Sequence, residues 1–189
     1  MKKMIALAVA LCLSILAGCA GTKTEEAASA QTTITQPSNQ NPNEYRKEQF
    51  GKATFEIPTS WFKSESENNI YFSEGPNSFT PFINVNISPI DLEITPDAAD
   101  VFWDAFVSEE GVENYRKAST SHHEFILFEF VQIFNSQNNK EYMVSSAATI
   151  ATKEVYTIRI IYENSEPNKE YYDPIFEYVV ESFFVEEVA

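Results

Sequence analysis

Between Glu124 and Tyr162 three strand-like runs follow one another with only short polar breaks. The first, Phe125 to Phe134, reads FILFEFVQIF and is almost continuously apolar, as expected of a strand covered on both faces. Asn135 to Asn139 makes a polar turn, and Lys140 to Ala151 returns as YMVSSAATIA. Thr152-Lys153 turns the chain again into EVYTIRIIYE. In that last run the two-residue period puts Tyr156, Ile158, Ile160 and Tyr162 on one face and Val155, Thr157, Arg159 and Ile161 on the other. Sequential strands with short connections pair most simply as an antiparallel meander. This block requires a sheet with something packed on each side.

Other elements are read around it. Phe50 to Ile57 forms a first strand closed by Pro58, Ile70 to Phe72 a short second, and Phe82 to Ile87 a third. In the third, Ile83, Val85 and Ile87 face the core, with Asn84 and Asn86 opposite. Thr95-Pro96-Asp97 opens a helix, with Thr95 as the cap, and Gly111 stops it after Glu110. Its apolar stripe is Ala98, Val101, Phe102, Ala105 and Phe106, with Trp103 off the stripe at the rim of the core. Tyr115 to Ser121 gives a short lead-in strand. A second helix starts at Asp173-Pro174 and buries Ile175, Phe176, Val179, Val180 and Phe183. The order β-β-β-α-β-β-β-α predicts an α+β domain, mainly antiparallel, with helices packed on the sheet. A cone-shaped NTF2-like or cystatin-like α+β domain is the rival; it places a helix before most strands, and here strands come first.

The amino terminus carries an export signal. Lys2 and Lys3 precede an apolar run, Ile5 to Leu16, which is too short for the ~20 residues of a membrane-spanning helix. The run ends in Leu16-Ala17-Gly18-Cys19, which resembles the lipobox of bacterial lipoproteins. That resemblance implies cleavage before Cys19, lipid on its sulfur, and a mature protein anchored to a membrane without spanning it. Cys12 would leave with residues 1–18, so the exported domain holds no cysteine for a disulfide, a nucleophile or a thiolate metal site. Residues 19–45 are rich in Thr, Ser, Gln, Asn and Pro, and Ile34 is their only large apolar residue, a composition that reads as a disordered tether with a reach of about 25–30 Å. Residues 46–189 then form a single domain.

Charge excludes one class of partner. The chain carries −15, and loss of Lys2 and Lys3 leaves −17, so phosphate neutralisation gives no hold on nucleic acid. Site chemistry is sparse. His122-His123 are adjacent and would point to opposite faces of a strand, which suits polar residues at a strand entrance better than a metal site. No nucleophile elbow, H-E-x-x-H or calcium-loop pattern occurs, and Glu109-Glu110 and Glu186-Glu187 are no different from other solvated acids. No catalytic residue, cofactor or metal is therefore assigned. Trp61, Tyr71, Phe79 and Phe82 form the candidate binding surface, and Arg159 is expected in a salt bridge on the outer sheet face.

Phe55-Glu56-Ile57-Pro58 with Trp61, and the close Ile175 to Ser182-Phe183, resemble the PsbP-like superfamily, which includes DcrB-type bacterial lipoproteins. The resemblance implies an α/β/α sandwich, often lipid-anchored or lumenal, that binds proteins and supplies no catalytic residues. Two functions follow as expectations. The first is an extracytoplasmic lipoprotein, on a cell or outer membrane, that engages an envelope or surface protein without catalysis. The second is a small-ligand binder with an aromatic-lined pocket.

Overall fold

The computed structural model describes residues 44–186 except 77, 79, 92–93, 135–139 and 152. The export segment, Cys19 and almost all of the tether lie outside the described residues, as does Phe79.

Among the described residues ten strands and two helices succeed one another as β1 (Tyr45–Phe50), β2 (Ala53–Pro58), β3 (Phe62–Ser66), β4 (Asn69–Ser73), β5 (Phe82–Pro89), α1 (Pro96–Glu109), β6 (Arg116–Ser119), β7 (Glu124–Gln132), β8 (Tyr142–Ala151), β9 (Glu154–Glu163), α2 (Glu166–Ser182) and β10 (Phe184–Val185). Seven strands make one antiparallel sheet in the order β3-β4-β5-β9-β8-β7-β6, and β1-β2-β10 make a second, smaller one. The meander predicted from the sequence is present as β6 to β9, and β9 joins it to β5 with Ile83 opposite Ile160 and Val85 opposite Ile158.

Both faces of the large sheet are covered. On the inner face Ile70, Phe72, Ile83, Val85, Tyr156, Ile158, Ile160 and Tyr162 meet α2 and the small sheet. Phe183, just past α2, is a hub there: its ring lies 5.9 Å from those of Phe55 and Phe125 and 5.8 Å from that of Tyr156. On the outer face Trp103, Phe106 and Val107 of α1 pack on Ile126, Phe128, Ala148 and Val155. The result is an α/β/α sandwich.

Five expectations change. The first strand is two: Phe50 pairs with Ala53 across a two-residue turn whose Gly51 has φ +58°, so β1 and β2 form a hairpin, and β1 already begins at Tyr45. The charged edge strand β3, absent from the sequence reading, lies between that hairpin and β4. Helix α1 has the predicted limits, but Trp103 is 7% exposed while Val101 is 58% exposed. The arc of Trp103, Phe106 and Val107 takes the larger apolar area out of water, which decides the helix's rotation. Thr95 occupies the cap position of α1, yet its side chain makes no capping hydrogen bond among the described residues. Lastly, α2 starts two turns before Asp173-Pro174: Ser165 is the cap, accepting from the Asn168 N–H, Pro167 is in the first turn, and Pro174 stands on the exposed side of the helix.

Gly111 ends α1 as predicted. With φ +75° it lets its own N–H reach Ser108 O at 3.1 Å and Val112 N–H reach Val107 O at 3.3 Å, the paired bonds of a Schellman cap. Substituting Ala at Gly51 or Gly111 places a side chain in the left-handed region and should cost about 1–2 kcal/mol. Gly51→Ala should cost the more, because its new Cβ would stand 2.8 Å from Ile87 Cδ1 while that of Gly111→Ala meets nothing within 4 Å. Urea unfolding of the two variants checks the ranking; equal losses would contradict it.

Candidate functional site

Helix α2 packs mainly against β2 and β9. It therefore leaves the β6–β7 margin of the inner face uncovered, and a cleft of about 520 Å³ opens there. One wall is α2, contributing Asp173, Phe176, Glu177, Val180 and Glu181; the other is Asn114 to Arg116 and Ala118 to Thr120 with Leu127 and Glu129 of β7. The sequence of α2 explains the mixture. Ile175, Phe176, Val179 and Val180 are its buried stripe, and Asp173, Glu177 and Glu181, four residues apart, form a carboxylate flank beside it. Leu127, Phe176 and Val180 give the cleft an apolar lining between charged rims.

Each like-charge pair at that helical spacing costs about 0.2–0.5 kcal/mol, so this flank does not help the helix fold. Glu129 faces it from the sheet. Among the described residues Glu129, Glu177 and Glu181 accept no hydrogen bond and form no salt bridge, and Arg116, the cation of the lining, forms none either. Asp173 accepts the Tyr162 hydroxyl at 2.5 Å. Burial, reinforced by the bond to Asp173, by its charge and by that of Glu129, pushes the Tyr162 phenol far above its ordinary value. Tyr172, stacked on Tyr162 with ring centroids 5.2 Å apart, is raised by burial and by the charge and hydrogen bond of Glu74.

The polar groups of the cleft are carboxylates and hydroxyls, with the Asn114 amide and the Arg116 guanidinium. Its lining holds no histidine or cysteine, and the Thr120 hydroxyl is engaged in its own turn, accepting from the His122 and His123 N–H groups. His123 is turned away, its Nε2 accepting the Val185 N–H at 3.0 Å and so tying β10 down, while His122 stands edge-on to the Phe184 ring. No group of three or more His, Cys, Asp or Glu suited to a metal ion exists among the described residues.

The candidate aromatic surface is divided. Trp61 is 1% exposed, inside the inner core, edge-on to Tyr172. Tyr71 and Phe82 lie together on the outer face, ring centroids 6.2 Å apart. Those two faces are separated by the sheet, so the described members do not line one pocket. Arg159 is paired as expected: its Nη2 donates to Glu110 Oε1 at 2.9 Å and its Nε to Ser146 Oγ, fastening the end of α1 to the outer face.

No family model matches the sequence, and no curated protein matches it. Solved structures do resemble the fold. A Bacteroides thetaiotaomicron crystal structure gives a TM-score of 0.52 at 10% identity, over 72% of this chain and 46% of that one. This chain thus spans just under half the length of that protein. The Saccharomyces cerevisiae Ran-binding protein Mog1p gives 0.48 at 10% identity, over 76% and 96%. The solution structure of cyanobacterial PsbP from Synechocystis gives 0.48 at 14% identity, over 87% and 98%. At these identities the likeness is one of architecture.

The tyrosines yield a pH prediction. A phenol whose folded-state pKa lies above its unfolded value near 10 favours folding while neutral. Its stabilisation is full below about pH 10 and is lost as pH rises toward the folded value. Urea midpoints should therefore fall on going from pH 8 to above about pH 10, and Tyr162→Phe should flatten the fall. An unchanged slope in the variant would contradict it.

Proposed function

We propose that the protein is a lipid-anchored extracytoplasmic lipoprotein that holds another envelope or surface protein without catalysing a reaction. The observation that carries the binding role is the cleft: charged rims and an apolar lining, with no histidine or cysteine in it. Such a surface supplies complementarity and steering.

Location rests on the sequence. Lys2, Lys3, the short apolar run and Leu16-Ala17-Gly18-Cys19 support export and lipidation at Cys19, and residues 19–45 support a tether that holds the domain off the bilayer. Among the described residues no helix is long and apolar enough to cross a membrane. The resemblance of Phe55 to Trp61 and of Ile175 to Phe183 to the PsbP-like superfamily agrees with this reading.

A small-ligand binder is the second reading. What favours it is the size of the cleft, about 520 Å³, within the usual span for small molecules. The occupied space would be this cleft, since the aromatic set of the sequence reading is split across the sheet.

Replacing Cys19 tests the anchor. In the source cell the wild-type protein should incorporate labelled palmitate and sediment with membranes; Cys19→Ser should lose the label and leave the membrane fraction. An unlabelled wild type, or a variant that sediments equally, would sink the anchor.

A further inference from the structure

We propose that the cleft between α2 and the β6–β7 margin docks an extended basic segment of the partner protein, in which lysine or arginine alternates with apolar residues. This rests on the adaptor reading above and names the chemistry of its partner.

Charge is the first argument. Four carboxylates, Glu129, Asp173, Glu177 and Glu181, face one cleft that contributes the single cation Arg116. The cations that do form ion pairs form them elsewhere: Arg46 and Lys63 with Glu48, Lys117 with Asp100, Lys140 with Glu163 and Arg159 with Glu110. None of these ion pairs involves the four carboxylates of the cleft. Across a chain of net charge −15, this concentration of acid draws a cationic partner and repels an anionic headgroup or nucleic acid.

Spacing is the second. Four residues of helix rise about 6 Å, which separates successive carboxylates of the α2 flank. In an extended chain, side chains on the same face recur about every 6.6–6.8 Å. Alternate residues of such a segment therefore keep step with Asp173, Glu177 and Glu181 over the flank's length of about 12 Å, or some four residues. The apolar lining of Leu127, Phe176 and Val180 supplies the third argument. A wholly hydrophilic polycation would leave Leu127 on the strand wall wet, whereas alternate apolar residues, which point away from the cations in an extended segment, cover it. Arg116, on the strand wall, confines the partner's cations to the helix side.

The test uses the full-length lipidated protein in detergent and a fluorescent, end-blocked hexapeptide alternating lysine and valine. Fluorescence anisotropy should show binding that weakens with added salt. Glu177→Gln with Glu181→Gln should weaken it about tenfold or more, while Glu65→Gln with Glu113→Gln, which removes the same charge outside the cleft, should change it less than twofold. Both pairs are solvent-exposed, and matching circular dichroism and urea midpoints confirm that each variant is folded. A peptide of three lysines followed by three valines should bind more weakly than the alternating one.

Absence of binding, an equal loss in the control variant, or indifference to residue order would overturn the proposal. So would spermine binding as tightly as the peptide, which would assign the cleft to small polycations. The two readings fail separately. A membrane partner that is captured but not displaced by the peptide overturns this groove and leaves the adaptor role standing. Failure of Cys19 to take lipid overturns the anchor and leaves the peptide result untouched.

Discussion

The domain depends on the two-sided burial of β9. It is the central strand of the seven, and it joins β5 from the first half of the chain to β8 from the second. Tyr156, Ile158, Ile160 and Tyr162 meet α2 and the small sheet, while Val155 and Ile161 enter the outer-face clusters. A slip of one residue would exchange those faces and put Arg159 into the inner core. The Arg159 pair with Glu110 adds a polar marker to this register, because it closes only when Arg159 faces α1.

Geometry then leaves a cleft. Seven strands about 4.8 Å apart span about 29 Å, and a helix is about 10 Å across. On the inner face the small sheet covers the β3–β5 side, with Phe55 edge-on to Phe72, and α2 covers the middle. The β6–β7 margin remains. Its apolar residues are few, and the acids of α2 and Glu129 stand where a second helix would otherwise pack. The opening follows from having one helix on a face wide enough for two or more.

Much of this was legible in the sequence wherever periodicity and buried area agree. The alternation of Glu154 to Tyr162 gave the central strand and both of its faces, and Thr95-Pro96 with Gly111 gave the limits of α1. Where two local patterns compete, reading fails. Two apolar arcs coexist on α1, and the one containing Trp103 prevails because the indole buries more surface than Val101. Ser165-Glu166-Pro167 has the same start signature as Thr95-Pro96, and Asp173-Pro174 repeats it inside the helix. Edge strand β3 carries Lys63 and Glu65 and alternates too weakly to stand out. The cleft was hidden for a different reason: its walls come from residues about fifty apart in sequence, and in so acidic a chain the spacing of Asp173, Glu177 and Glu181 is inconspicuous until the helix is set against Leu127.

The two edge strands of the large sheet are short, β6 with four residues and β3, like β4, with five, and each is charged: FKSES in β3 and RKAS in β6. Open strand edges are templates for runaway stacking of one molecule on the next. Two β6 edges brought together would crowd two copies of Arg116 and Lys117 into one short ladder, and an edge of four residues offers few ladder bonds in return. Copies crowded side by side should therefore resist sheet-to-sheet polymerisation, however densely they are displayed.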